Sequence, residues 1–180
     1  GLIFLGLLVV LGFWAVGIYN NLVRGRRGYE NAFAQIDVQL TRRYDLIPNL
    51  VEIAKGYMAH ERQTLESVTR ARTQFMAAKT PQEQAAADNL LTNTLKTLFA
   101  VSESYPDLKA NANFLDLQRE LADTENKIQA ARRFYNANVR DLNIRIESFP
   151  ANFIAGGFGF GKMEFFDAEA EAERPVAVKF

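Results

Sequence analysis

Three features of this chain predict an all-α protein: an N-terminal transmembrane helix, then an antiparallel bundle of long helices, then an irregular aromatic and glycine-rich C-terminal tail. The first 19 residues, Gly1 to Tyr19, hold 15 apolar residues and four glycines, with no charge. Between Tyr29 and Ala155 the only glycine is Gly56 and the only prolines are Pro48, Pro81, Pro106 and Pro150. So few breakers over such a length favour long helices. From Phe114 to Leu142 apolar positions recur by three and four, while the β-branched runs and tight-turn dipeptides of a sheet are missing.

The apolar run comes first. Its 19 residues would span roughly 28 Å as a helix, close to the hydrocarbon core of a bilayer. Trp14 and Tyr19 lie near its C-terminal end, where amphipathic rings meet headgroups, and Arg24, Arg26 and Arg27 follow. A cleaved signal peptide would have a shorter core ending in small residues, and Gly17-Ile18-Tyr19-Asn20 is a poor cleavage site. A retained anchor over 1–21 and a basic juxtamembrane segment over 22–28 are therefore expected. The three arginines place the rest of the chain in the cytoplasm under the positive-inside rule. Residues upstream of Gly1 are also expected, and lysines among them would weigh against that orientation.

The bundle is expected over 29–150. Tyr29, Phe33, Ile36, Leu40, Ile47, Leu50, Ala54 and Tyr57 recur at spacings of three, four or seven, and Leu65, Val68 and Phe75 continue after a shift in phase. This predicts a first helix over about 29–78. Thr80-Pro81-Gln82-Glu83 is a capping box with proline at the first helical position, which starts a second helix over 81–104. It carries Leu91, Leu95 and Leu98. A third helix, about 113–149, bears a heptad seam of Phe114, Leu117, Leu121, Thr124, Ile128, Ala131, Tyr135, Asn138 and Leu142. Thr124 and Asn138 read as tolerated or register-fixing contacts. At roughly 75, 36 and 54 Å the helices are unequal. Part of the first must be covered by the third or by another subunit, and self-association is expected because tethering raises effective concentration.

The tail over 151–180 interleaves aromatics, among them Phe153, Phe158, Phe160, Phe165, Phe166 and Phe180, with Gly156, Gly157, Gly159 and Gly161. The glycines argue against a stable helix. The tail either folds back on the bundle's end or docks onto a neighbouring subunit or a lipid interface. With three bundle helices it would emerge far from the anchoring bilayer, which favours subunit contacts. Asp167 to Glu173 reads as a solvated acidic stretch.

The 21 basic and 21 acidic side chains cancel, which excludes a strongly basic nucleic-acid binder. With no cysteine there is no thiolate metal site or thiol nucleophile. His60 has no second histidine and reads as an exposed helical residue. Gly157 to Gly161 lacks the strand and helix of a phosphate loop. No catalytic, cofactor-binding or metal-binding residues are expected.

The stretch that stands out is Arg42-Arg43-Tyr44-Asp45-Leu46-Ile47-Pro48-Asn49. Pro48 frees the carbonyl of Tyr44, and Arg42, Asp45 and Asn49 share a face. The site reads first as a local repair of the helix ladder and second as a recognition surface. Arg132, Arg133, Arg140 and Arg145 add a basic face to the third helix, for a partner or for the first helix.

Several motifs resemble the LemA family of bacterial membrane proteins. They are Tyr19-Asn20-Asn21-Leu22-Val23, Gln35-Ile36-Asp37-Val38-Gln39-Leu40, Arg42-Arg43 through Asp45-Leu46-Ile47-Pro48-Asn49-Leu50-Val51, and Tyr105-Pro106-Asp107-Leu108-Lys109-Ala110-Asn111. Thr124-Glu125-Asn126-Lys127-Ile128, Ala131-Arg132-Arg133-Phe134-Tyr135-Asn136 and Ser148-Phe149-Pro150 resemble it as well. The resemblance covers essentially the whole chain in order. It implies a single-span anchor in the bacterial inner membrane, an antiparallel bundle facing the cytoplasm, and no established enzymatic activity. The family is similar to a protein needed for forming magnetosome membranes, which points to membrane organisation. Two roles are expected on this basis. The first is a self-associating scaffold that organises membrane or membrane proteins. The second is an adaptor presenting its bundle to a membrane protease or signalling partner.

Overall fold

Nothing interrupts the helix that begins in the apolar run. In the computed structural model, which describes residues 1–166, α1 spans Leu2–Lys55. The expected anchor, basic segment and first bundle helix are thus one rod of roughly 80 Å. Residues 2–14 are exposed, and the N-terminal apolar stretch of the rod to which they belong is long and apolar enough to cross a membrane. Further along, Gly25 and Gly28 face α5 (Ala112–Glu147). A Cβ on Gly25 would lie 2.9 Å from Leu142 Cδ1, and one on Gly28 3.1 Å from Asn138 Oδ1. Glycine at these positions lets the two backbones approach.

The helix expected over 29–78 is divided. α1 stops before Gly56, and α2 (Arg62–Ala77) runs back alongside it. The shift in phase read between Ala54 and Leu65 is not the cause: at about 100° per residue a straight continuation would keep Leu65 and Val68 on the stripe of Ala54 and Leu50. The break falls at Gly56, a weak helix former, and the turn drops Met58 into the core, its N–H donating to Ala54 O at 2.8 Å. His60 is exposed on this turn and is not helical.

α3 (Pro81–Ser102) starts where its capping box predicts, with Glu83 N–H donating to Thr80 Oγ1 at 3.1 Å and Thr80 N–H donating to Glu83 Oε2 at 3.3 Å. A single turn, α4 (Pro106–Lys109), leads to α5, whose first turn is capped by Asn111 Oδ1. The tail also holds one short helix, α6 (Ala151–Gly157), against the expectation that its glycines prevent one. Ala155 and Ile154 pack into the core there, and that burial outweighs the low helix propensity of Gly156 and Gly157.

α5 runs antiparallel to α1 in constant register. Arg145 donates to Asn21 Oδ1 at 3.0 Å, Arg42 to Asp123 Oδ2 at 3.2 Å, and Asn111 to Tyr57 Oη at 3.2 Å. α5 is 36 residues long and so matches the part of α1 beyond Tyr19. The α2–α3 hairpin completes a four-helix core at the far end, with Leu50, Met58, Leu98 and Phe114 inside. Nearer the span the third side is filled by the tail, where Phe166 packs with Ile36, Ile128 and Tyr135. The part of the first helix expected to be covered by the third helix or by another subunit is covered within the chain, by α5 and the tail. Because α1 and α2 are separate helices, the chain crosses the bundle four times, not three. The tail returns to the anchored end, which reverses the expectation that it emerges far from the bilayer.

Pro48 stays inside α1. It cannot donate to Tyr44 O, and that carbonyl instead accepts from Arg72 Nε of α2 at 2.8 Å while the guanidinium lies over the Tyr44 ring. The local-repair reading of Pro48 holds, and the repair comes from a neighbouring helix. Arg72→Ala should therefore cost about 1–3 kcal/mol in urea unfolding followed by circular dichroism. The cost should shrink in a Pro48→Ala background, where residue 48 supplies its own N–H to Tyr44.

Candidate functional site

The most heavily charged interior point joins three helices. Arg43 of α1 occupies the position between Leu40 and Ile47 on the apolar stripe, so it points inward and is 3% exposed. Its guanidinium pairs with Asp88 at 2.6 Å and Glu125 at 2.8 Å and donates to Thr92 Oγ1 at 2.8 Å. Arg132 of α5 reaches the same carboxylate at 3.5 Å, donates to Asn89 Oδ1 at 3.1 Å and lies over the Phe166 ring. Burial pushes the Asp88 carboxyl up, and the Arg43 and Arg132 charges oppose that. The expectation that Arg43 and Arg132 form part of an outward recognition surface is thereby corrected. The seven-residue gap between Leu40 and Ile47 was the sequence signal for an inward Arg43; nothing in the sequence marked Asp88 as its partner.

Arg42, Asp45, Pro48 and Asn49 remain accessible. Arg42 leans across to α5 and pairs with Asp123, which also meets Lys127 at 2.9 Å. Hydrogen bonds from Lys127 and Arg42 hold the Asp123 carboxyl below the usual carboxylate range. Arg133 is exposed. Arg140 is half-buried beside Asp141 and borders a shallow pocket with Asn143, Lys162 and Phe165.

A groove of about 650 Å³ runs between α1 and α5 on the face away from α3. Ala34, Gln35, Val38, Ala131 and Phe134 line it, and Val38 and Phe134 are largely exposed. Sequence reasoning missed it, because Val38 and Phe134 lie off the two core stripes and read as isolated surface residues.

The tail aromatics divide into two sets. Phe160, Phe165 and Phe166 turn inward. Tyr135 Oη donates to Glu164 O at 3.0 Å, Asn143 exchanges two hydrogen bonds with the Met163 backbone, and Phe166 N–H donates to Asn136 Oδ1 at 2.9 Å. Burial pushes the Tyr135 phenol up. Phe153 and Phe158 stay exposed. Phe180 and the acidic stretch from Asp167 lie outside the described residues. Of the residues expected at the membrane boundary, Trp14, Tyr19, Arg24 and Arg27 are exposed, and Arg26 lies over the Phe160 ring at 4.9 Å. Among the described residues no group of three His, Asp or Glu side chains could hold a metal ion.

The profile of the LemA family matches residues 32–180. Protein LemA of Metamycoplasma hominis is 28% identical over 163 residues, covering 88% of this chain and 73% of that protein. Magnetosome protein MamQ 2 of Paramagnetospirillum magneticum is 25% identical over 184 residues, covering 88% and 68%. Magnetosome protein MamQ of Magnetospirillum gryphiswaldense is 24% identical over 177 residues, covering 82% and 65%. None of these names denotes an enzyme.

Removing the shared carboxylate leaves two buried guanidinium groups short of counter-charge. Asp88→Ala should cost about 3–5 kcal/mol, read as a lowered thermal midpoint. The exposed cluster responds to pH instead. A carboxyl held low in the folded state contributes stability above the ordinary carboxylate range and loses it as the pH falls through its own lower value. Melting curves recorded on acidification should thus show a decline that Arg42→Ala with Lys127→Ala makes shallower.

Proposed function

We propose, from the premise that this chain belongs to the LemA family, that it is a membrane-anchored helical scaffold without catalysis, organising membrane or membrane proteins by self-association. The observation that carries this reading is the continuity of α1, which enters the bundle from an exposed apolar span with no linker. A bundle joined in this way stands on the bilayer at one height and orientation. Every copy then offers the same side face at the same level. The groove around Val38 and Phe134 lies roughly 25–30 Å beyond Tyr19 along α1. Copies confined to two dimensions meet there side on, and a two-fold contact about the membrane normal brings like surfaces together.

The site of action in this reading is the bacterial inner membrane, crossed once, with the bundle in the cytoplasm. The support is the placement of Arg24, Arg26 and Arg27 directly after the span. Balanced charge argues against nucleic acid as a partner. An adaptor for another membrane protein keeps Arg42, Asp45, Pro48, Asn49, Arg133 and Arg140 as its accessible surface, since Arg43 and Arg132 are committed inside.

In mild detergent or native-lipid discs, mass photometry should show dimers or larger species. Val38→Glu with Phe134→Glu should convert them to monomers while leaving helicity unchanged. A strict monomer at every concentration would overturn self-association.

A further inference from the structure

Fourteen consecutive residues, Ser148 to Gly161, carry no charge, the longest such stretch after the span. The residues on either side, Glu147 and Lys162, are ion-paired to each other. The chain therefore leaves the charged bundle at one point, makes an uncharged excursion and returns to the same point. The antiparallel register fixes where this happens. Arg145 is level with Asn21, and Ile146 packs with Leu22 and Ile18, so the excursion lies alongside Tyr19 and beyond. Phe158 meets the Tyr19 ring with centroids 4.9 Å apart. Within the span only Ala15 and Ile18 are partly covered, so contact along α1 reaches about one turn past Tyr19 towards Gly1.

One face of this excursion is buried and the other is not. Ala155, Ile154 and Phe160 pack on α1 and α5, whereas Phe149, Phe153 and Phe158 are 78%, 72% and 66% exposed. Three phenylalanines clustered in water on a helix and its flanks would be costly to expose. Phe158 lies against Tyr19, the last residue of the apolar span.

We propose that residues 148–161 form a second membrane contact, an aromatic foot that dips into the headgroup and upper acyl region of the same bilayer that holds α1. The occupant of the exposed Phe149, Phe153 and Phe158 face is lipid. Aromatic side chains suit this zone, Arg24 and Arg27 lie just above it for lipid phosphates, and the Glu147–Lys162 pair stays on the water side. The foot ties the anchored end of the bundle to the bilayer at two points. It rests on α1 being inserted, and a label within the span separates that premise from the proposal.

The chain has no cysteine, so single labels are clean. Phe149→Cys, Phe153→Cys and Phe158→Cys would each carry a nitroxide on the full chain in phosphatidylcholine–phosphatidylglycerol vesicles, with Val9→Cys as the span control and His60→Cys as the water control. Power saturation with oxygen and a soluble nickel chelate reads depth. The foot labels should give oxygen-to-nickel ratios several-fold above that of His60, at shallower depth than Val9. A ratio equal to that of His60 at all three positions, with Val9 embedded, overturns the foot alone. Spin–spin broadening at Phe153 that disappears on dilution with unlabelled protein assigns the face to a second copy and also overturns it. A water-like Val9 overturns the anchor and the foot together.

Discussion

The seam between α1 and α5 positions every other part of the molecule. The two helices lie antiparallel over the full length that α1 extends past Tyr19, with contacts from Asn21–Arg145 to Tyr57–Asn111. Apolar pairing along this seam drives the association. Gly25 and Gly28 bring the backbones close where the seam nears the apolar span. With that register set, the end of α5 can lie nowhere except beside the end of the span. The later turns then fall into place around a rod that is already defined.

A purely apolar seam could slide by a helical turn at small cost. Polar groups inside the bundle oppose such slippage. Arg43, Asp88, Glu125 and Arg132 meet at one level and come from three helices, so a shift of one helix leaves a buried charge without its partner. Asn136 and Asn143 do the same for the tail, since their amides bond its backbone at Phe166 and Met163. Desolvation makes these groups poor contributors to net stability, and their value here lies in choosing one arrangement among several near-equal packings.

Much of this was legible in the residues. The apolar run, the capping box at Thr80 and the seam from Phe114 to Leu142 each reflect a local rule with a short range, and each stands where the pattern placed it. The division of the first helix was marked only by the single Gly56, since on a straight helix the apolar stripe would run on in phase through the break. Packing decides the reversal, which buries Met58 in the turn. The inward turn of Arg43 was harder to see, since an arginine on an apolar stripe is credible only once Asp88 is known to face it from α3. The tail was least legible, because Phe158 and Phe160, one exposed and one buried, each sit between two glycines. What separates them is the pairing of residues 163–166 with α5, a contact at long sequence range.

The parity of the crossings has the largest consequence. Three passes would place the end of the bundle's chain far from the bilayer, free for partners in solution. Four passes bring it back, so among the described residues the far end of the bundle is made of the turn after α1 and the short α4 segment, both closed by hydrogen bonds such as Tyr105 to Glu61 and Asn111 to Tyr57. The exposed tail phenylalanines, with Phe158 against Tyr19, lie instead at the span's end of the bundle, and the open apolar groove lies on the side. The proposed self-association within the plane of the membrane rests on this arrangement, an open groove on the side and exposed phenylalanines beside Tyr19. On the proposed reading, the roughly 54 Å over which α1 and α5 pair sets the height at which such contacts form.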